Sequence, residues 1–292
     1  MSLLAKTIGQ GFNVGGFAFP EKTAATLSRL FLTPFPRMKA SIWSPELDAV
    51  ATPSTLTVTG HSLTSWKIGD GDRRVLFCHG WGGCAANGAS LMPGLLDAGF
   101  EVHTFDGPAH GDGKLRSTNM LEFGEAFGQL TDRYGPFTAA IGHSFGGGAL
   151  TLALGKGLSV ERVALIAPMI NSEAATEYFL DQLGIRSSIR PAVHDHLKAK
   201  FAEEIDAWDL AHYAKRHTTP ALIFHDTGDN RVPYDAATQA AKNWENCTLV
   251  TTEGLGHQRI LKDQSVIDHV TSFVATGAKP TYQPDRSSTF NY

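Results

Sequence analysis

The chain has 292 residues, a length that suits one α/β domain carrying insertions or two smaller domains. Hydrophobic residues make up 42% and charged residues 18%, which permits a large core and excludes wholesale disorder. With 25 Lys+Arg against 29 Asp+Glu the net charge is -4, too balanced for a nucleic-acid partner or an anionic bilayer. Cys78, Cys84 and Cys247 are too few, and wrongly spaced, for a disulfide framework or a metal centre. No apolar run approaches the roughly 18 residues of a spanning helix. Near the start, Lys6 and Gln10 interrupt the apolar stretch before a signal segment could form, so a cytoplasmic protein is expected.

In chain order, Ala24, Leu27 and Phe31 fall at helical spacing within 23–31, and Pro34 and Pro36 end that pattern. This stretch lacks the Lys/Arg-rich face of a membrane-surface helix. Residues 1–54 are therefore expected to be an arm packed on the core. Thr55 to Val58 alternates as a half-exposed strand, with a hairpin partner at Leu63–Ile68 across Gly60-His61-Ser62. A solid apolar run, Val75–Cys78, then suits a strand buried on both faces. Similar runs recur at Val102–Phe105, Ala139–Ile141, Val163–Ile166, Ala221–Phe224 and Thr248–Thr251. Helical patterns such as Leu150–Leu158 and Ala236–Trp244 lie between them, which predicts a parallel sheet with helices on both faces and the hairpin at one edge.

One stretch breaks the alternation. Residues 171–217 hold 14 charged residues in 47 positions, with helical spacing at Tyr178, Phe179, Leu180 and Leu183 and at Leu197, Phe201, Ile205 and Leu210. Such an insertion over the strand ends would form a lid; the plainer alternative is a solvated helical excursion. The core is thus assigned to 55–170 and 218–276, the cap to 171–217, and a loosely held tail to 277–292.

The most informative residues are Gly142-His143-Ser144-Phe145-Gly146, between a buried strand and a helical pattern. In that context the turn forces Ser144 into a strained backbone, with its hydroxyl alone above the sheet at a helix N-terminus. Gly142 and Gly146 are needed because a Cβ at either would strike the neighbouring strand or helix.

A serine hydroxyl requires a base. His257, in Glu253-Gly254-Leu255-Gly256-His257 directly after the last core strand, is the best placed. His79, His110 and His143 sit inside local motifs that favour structural hydrogen bonds, and His269 lies mid-helix. His194-Asp195-His196 lacks further metal ligands, so no metal is expected. The base needs an acid. Asp229 lies further into the loop after strand Ala221–Phe224 than Asp226 and is preferred to it; Glu173 is a distant third.

For the oxyanion, the amide of Phe145 follows the nucleophile, and His79-Gly80-Trp81-Gly82-Gly83 offers the amide of Trp81, with that of Gly82 a poorer choice. Gly9-Gln10-Gly11 has no preceding strand and no third glycine, so a dinucleotide site is set aside, and no organic cofactor is expected.

With these residues assembled, the chain resembles the α/β-hydrolase family over roughly 55–276. The likeness rests on His79–Gly83, Phe105-Asp106-Gly107-Pro108-Ala109-His110-Gly111, Gly142–Gly146, the run from His225 to Pro233, and Gly254–His257. It implies a mostly parallel eight-stranded sheet flanked by helices, with a small helical cap inserted after the sixth strand. The order Ser144, Asp229, His257 is the family's nucleophile–acid–base order. The chain departs from the usual pattern at Ala109 and at Asp226, where the family commonly has glycine. A serine nucleophile tells against the dehalogenase and epoxide-hydrolase relatives.

The expected activity is cleavage of small or medium carboxylic esters through an acyl-enzyme intermediate. Thioester hydrolysis or acyl transfer would use the same groups, and a non-catalytic ligand-binding protein is the reading from another class. The partner is then a small ester or thioester rather than nucleic acid. Pocket specificity is expected from cap side chains such as Tyr178, Phe179, Phe201 and Trp208.

Overall fold

A computed structural model describes residues 3–39, 42–201 and 214–280. The predicted Ile205, Trp208 and Leu210, and the tail beyond residue 280, lie outside the described residues.

Eight strands form one sheet: β1 (Ala51–Val58), β2 (His61–Ile68), β3 (Arg73–Cys78), β4 (Phe100–Phe105), β5 (Phe137–His143), β6 (Val160–Ile166), β7 (Ala221–Asp226) and β8 (Cys247–Thr252). Their spatial order is β1-β2-β4-β3-β5-β6-β7-β8. β1–β2 and β2–β4 pair antiparallel, and every pair from β4–β3 to β7–β8 is parallel. The sheet is thus the predicted one, with the hairpin at its edge. β1 nevertheless begins four residues earlier than expected, at Ala51, so the boundary drawn at residue 54 falls inside a strand. Pro53 obscured that start, and only an edge strand tolerates it. The hairpin turn is also tighter than expected. Val58 pairs with His61 across Thr59 (φ 48) and Gly60 (φ 77), a two-residue turn with left-handed backbone at both positions.

The strands sort their side chains with period two. Leu76, Cys78, Ala140, Val163, Leu165 and Ile223 join a cluster with α5 (Met120–Tyr134), α6 (Phe145–Gly155) and α9 (Tyr234–Asn243). Val75, Phe77, Ala139, Ile141, Ala164, Ile166, Leu222 and Phe224 face a second cluster with α4 (Met92–Asp97), α11 (Gln264–Thr276) and Trp43 and Leu47 from the chain around the one-turn α3 (Pro45–Asp48). Because both faces are covered, the central strands carry no polar alternation. Each buried Val, Leu, Ile or Phe among them contributes roughly 1.5–3 kcal/mol by its removal from water.

The N-terminal arm divides: its later part, with Trp43 and Leu47, packs on the core, whereas α1 (Leu3–Ala18) and α2 (Pro20–Phe31) belong to a third cluster. They pack against α7 (Ser172–Leu183) and α8 (Arg190–Lys200), the helices inserted between β6 and β7. Ala24, Leu27 and Leu32 from the arm bury with Leu180, Ile185, Ile189, Val193 and Leu197 from the insertion. Asn13 ties the two together, its Nδ2 donating to Gly184 O and its Oδ1 accepting from Arg186 N, both at 2.9 Å. Phe179 stacks on Phe31 at 5.6 Å, and Phe201 joins the same cluster, so these two predicted pocket walls face the arm.

Sequence reading gave no helix over α1 because four glycines weaken it; packing overrides that. A Cβ on Gly9 would land on the carbonyl oxygen of Leu183, whereas one on Gly11 would meet open space. Gly9→Ala is therefore expected to destabilise the protein by about 2 kcal/mol. Gly11→Ala should stabilise it by about 0.5–1 kcal/mol. Paired urea titrations check both signs.

Candidate active site

Ser144 stands between β5 and α6 with φ 52 and ψ −119, outside the regions an L-residue favours. Its neighbours hold it there: Ser144 N donates to Ile166 O at 3.0 Å, and Met169 N donates to Ser144 O at 2.9 Å. A Cβ on Gly142 would come within 2.7 Å of Gly147 Cα, and one on Gly146 within 2.5 Å of Cys78 O and His79 O. The two flanking glycines thus let β5, α6 and the end of β3 approach this closely. α6 begins at Phe145, two residues before the helical pattern expected from near Gly147, and Phe145 through Leu154 are all buried.

His257 belongs to the short α10 (Gly256–Arg259), and its ring meets both expected partners. Nε2 is 2.9 Å from Ser144 Oγ and Nδ1 is 2.6 Å from Asp229 Oδ2. The Asp229 side chain is fully buried, and its Oδ1 accepts from Arg231 N at 2.8 Å and Val232 N at 3.0 Å. Burial alone would raise the Asp229 carboxyl pKa. The hydrogen bond and charge of His257 and the two amides outweigh it and hold the group below the usual carboxylate range. An ionised Asp229 makes His257 Nδ1 the protonated nitrogen, which leaves Nε2 as acceptor for the Ser144 hydroxyl.

Asp226 has a different employment. Its Oδ1 accepts from Gly228 N at 2.9 Å, and its Oδ2 accepts from Thr252 Oγ1 and Leu255 N, each at 2.8 Å. It pins the loop after β8, which carries His257, to the loop that carries Asp229. The departure from the family's glycine at this position is therefore a bracket between two site loops. Sequence reasoning saw only a turn residue here, since the three donors come from other segments or from main chain.

On the opposite side, residues 80–83 form a turn closed by Gly83 N to Gly80 O at 3.0 Å, with positive φ (72) at Gly82. The amide of Gly82 donates to His110 Nε2 at 2.9 Å. With Gly82 and Gly83 both engaged, the amide of Trp81, like that of Gly80, has no hydrogen-bond partner among the described residues, and Phe145 supplies the first amide of α6. Ala109, the other departure from the family pattern, has φ 61, the conformation glycine adopts without cost.

Several other histidines among the described residues are structural partners. His79 donates from Nδ1 to Gly80 O at 2.8 Å and accepts at Nε2 from Gly107 N at 2.9 Å. His143 donates from Nε2 to His257 O at 3.0 Å, so the residue before Ser144 holds the main chain of His257. His225 donates to Val232 O at 3.1 Å, bracing the Asp229 loop. His194 bonds Glu177 at 2.6 Å within an ion-pair cluster that includes Arg190 and Asp181, and His269 is tied to its own helix through Ser265 O. Glu173 sits in the first turn of α7.

Burial lowers the pKa of His79, His103, His110, His143, His217 and His225, His110 and His143 to about 3. Their folded values lie below the unfolded value near 6.5, so the unfolded chain binds more protons as acid is added. Stability is therefore complete above about pH 6.5 and falls below it, by at most about 1.4 kcal/mol per pH unit for each ring. Circular dichroism is expected to show cooperative unfolding between about pH 4 and 5.5; unchanged urea stability from pH 7 to 4 would contradict the neutral rings.

The sequence model described as the alpha/beta hydrolase fold matches residues 73–188, and that of the TAP-like protein matches 203–287. Among curated proteins, the chain is 32% identical over 156 residues to the dihydrolipoyllysine-residue acetyltransferase component of the acetoin cleaving system of Cupriavidus necator. That match covers 51% of this chain and 41% of the relative, so the chain spans well under half of it.

Among solved structures, an esterase of Pyrococcus furiosus superposes with a TM-score of 0.64 at 17% identity, over 82% of this chain and 97% of that one. The 2-hydroxy-6-oxo-6-phenylhexa-2,4-dienoate hydrolase of Rhodococcus sp. follows with 0.59 at 15% identity, over 77% and 98%. The ferulic acid-bound Est1E of Butyrivibrio proteoclasticus gives 0.55 at 18%, over 76% and 96%. The eight-stranded sheet, the sharp serine turn at its centre and the two family-model matches lead to one assignment: this chain has the α/β-hydrolase fold.

Proposed function

We propose that the chain is a serine hydrolase that cleaves small or medium carboxylic esters through an acyl-enzyme intermediate. The observation that carries this reading is the pair of hydrogen bonds on the His257 ring, to Ser144 Oγ at 2.9 Å and to Asp229 Oδ2 at 2.6 Å. In acylation Ser144 Oγ attacks the ester carbonyl carbon while His257 Nε2 takes the hydroxyl proton. The negative charge that develops on the carbonyl oxygen is met by the amides of Trp81 and Phe145, each donor contributing about 3–4 kcal/mol in the transition state. Asp229 supports the imidazolium and keeps its tautomer. Collapse expels the alcohol, which takes the proton from His257, and a water molecule then repeats the sequence on the acyl group. The mouth of the pocket is assigned to the insertion at 171–217, and a cytoplasmic setting is part of the same reading.

Hydrolysis of a p-nitrophenyl ester series from acetate to laurate tests the proposal. The expected result is turnover that peaks at short or medium acyl length and vanishes in Ser144→Ala. No turnover of any ester by folded protein counts against it.

Acyl transfer on the same groups is the second reading, and the name of the Cupriavidus necator relative favours it. Added alcohol or thiol acceptors would then divert the acyl group from water. A non-catalytic binder would hold esters without turnover.

A further inference from the structure

Residues 32–38, after α2, cross the two loops that frame the Trp81 amide. Leu32 O accepts from Thr118 N at 2.9 Å, and Met38 N donates to Gly82 O at 2.8 Å. Arg37 Nη1 reaches three carbonyl oxygens of one loop, those of Ala109 at 3.2 Å and of Gly113 and Leu115 at 3.3 Å. The contact is close enough that a Cβ on Gly82 would stand 2.7 Å from Pro36 O. The loop gripped by Arg37 carries His110, whose Nδ1 donates to Pro108 O at 2.8 Å while Nε2 receives the Gly82 amide. Gly82 is thus held at its N–H by His110 and at its carbonyl by Met38, and the turn is closed behind it by Gly83. The Trp81 N–H lies in the Gly80–Trp81 peptide plane, whose carbonyl accepts from Gly83 N at 3.0 Å, so fixing Gly82 at both ends, between Trp81 and Gly83, limits the swing of that plane.

We propose that the strap over residues 32–38 is part of the oxyanion-site scaffold, and that Arg37 is a positioning residue that keeps the Trp81 N–H aimed. It acts through the 107–115 loop and His110 and touches no substrate. The inference rests on the Ser144 acyl-enzyme reading. Preorganised donors act on the transition state and little on the bound ester, so loosening one lowers kcat more than it raises KM. Arg37 is exposed, and water can replace part of its grip, which makes the effect moderate.

The test compares wild type, Arg37→Met and Arg37→Lys on one p-nitrophenyl ester and on an aryl trifluoromethyl ketone, whose hemiketal oxygen needs the same amides. Arg37→Met is expected to lower kcat about five- to twentyfold with KM within about twofold. The inhibition constant of the ketone should rise by the same factor by which kcat/KM falls, and Arg37→Lys should recover part of both. Arg37→Met at wild-type kcat and ketone affinity overturns the proposal. So does a fall in kcat with ketone affinity unchanged, which would mark general loosening. If Arg37→Met does not fold, Arg37→Lys carries the same comparison at a smaller factor. Wild type inert to ester and ketone removes the acyl-enzyme reading and this inference with it; active wild type with unaltered variants removes this inference alone.

Discussion

Ser144→Ala is expected to lower kcat by about 10⁵–10⁶-fold, and His257→Ala by a similar factor, because nucleophile and base act as one unit. The double variant should be scarcely worse than either single one, a non-additivity that independent contributions could not produce. Residual activity would reflect binding and the oxyanion donors alone. Stability should move the other way at this position. Ser144 has φ 52, and relieving such strain with glycine recovers more than glycine's added chain entropy costs. Ser144→Gly is thus expected to be inactive and about 1 kcal/mol more stable than wild type, as urea unfolding would report.

The second large effect separates two aspartates three residues apart. Asp229→Asn keeps the shape of the side chain but offers an amide to His257 Nδ1, which favours the tautomer protonated at Nε2. That nitrogen can no longer accept from Ser144 Oγ, and kcat should fall by about 10³–10⁴-fold with little change in Tm. Asp226→Asn instead turns an NH₂ group toward donors, since Gly228 N, Thr252 Oγ1 and Leu255 N already fill both oxygens. Its cost should appear in stability, about 2–3 kcal/mol, with kcat reduced less than about tenfold. Kinetics and thermal melts of the two variants side by side check the assignment; the reverse pattern would make Asp226 the acid.

The parts that were legible in the sequence share a physical cause. Val75–Cys78 and Ala221–Phe224 are buried on both faces, so the whole run had to be apolar and stood out. Ser144 could be placed because a strand, a five-residue turn and a helix must follow one another for such a turn to exist. Gly142 and Gly146 then had a steric reason that the coordinates share. Asp229 and His257 were reachable because each follows a core strand at the same end of the sheet.

The parts that were not legible depend on contacts between distant segments. α1 carries Gly9, Gly11, Gly15 and Gly16, and its helix forms against α7 and α8 in spite of them. The arm's apolar residues Ala24 and Leu27 announced a buried face without saying what buries it, and the insertion proved to be the partner. Asp226 is indistinguishable in sequence from any turn aspartate until Thr252 and Leu255 are seen beside it. Arg37, directly after Pro36, binds three main-chain carbonyls, and carbonyls carry no sequence signature.

The account stands on Ser144 being made nucleophilic by His257. Labelling of the native protein with a fluorophosphonate, followed by peptide mapping, measures this directly. One equivalent of phosphonyl group is expected on Ser144, absent from Ser144→Ala and slowed at least about 10³-fold in His257→Ala. Folded wild-type protein that takes up no label at Ser144, or labels equally fast without the imidazole, would contradict it.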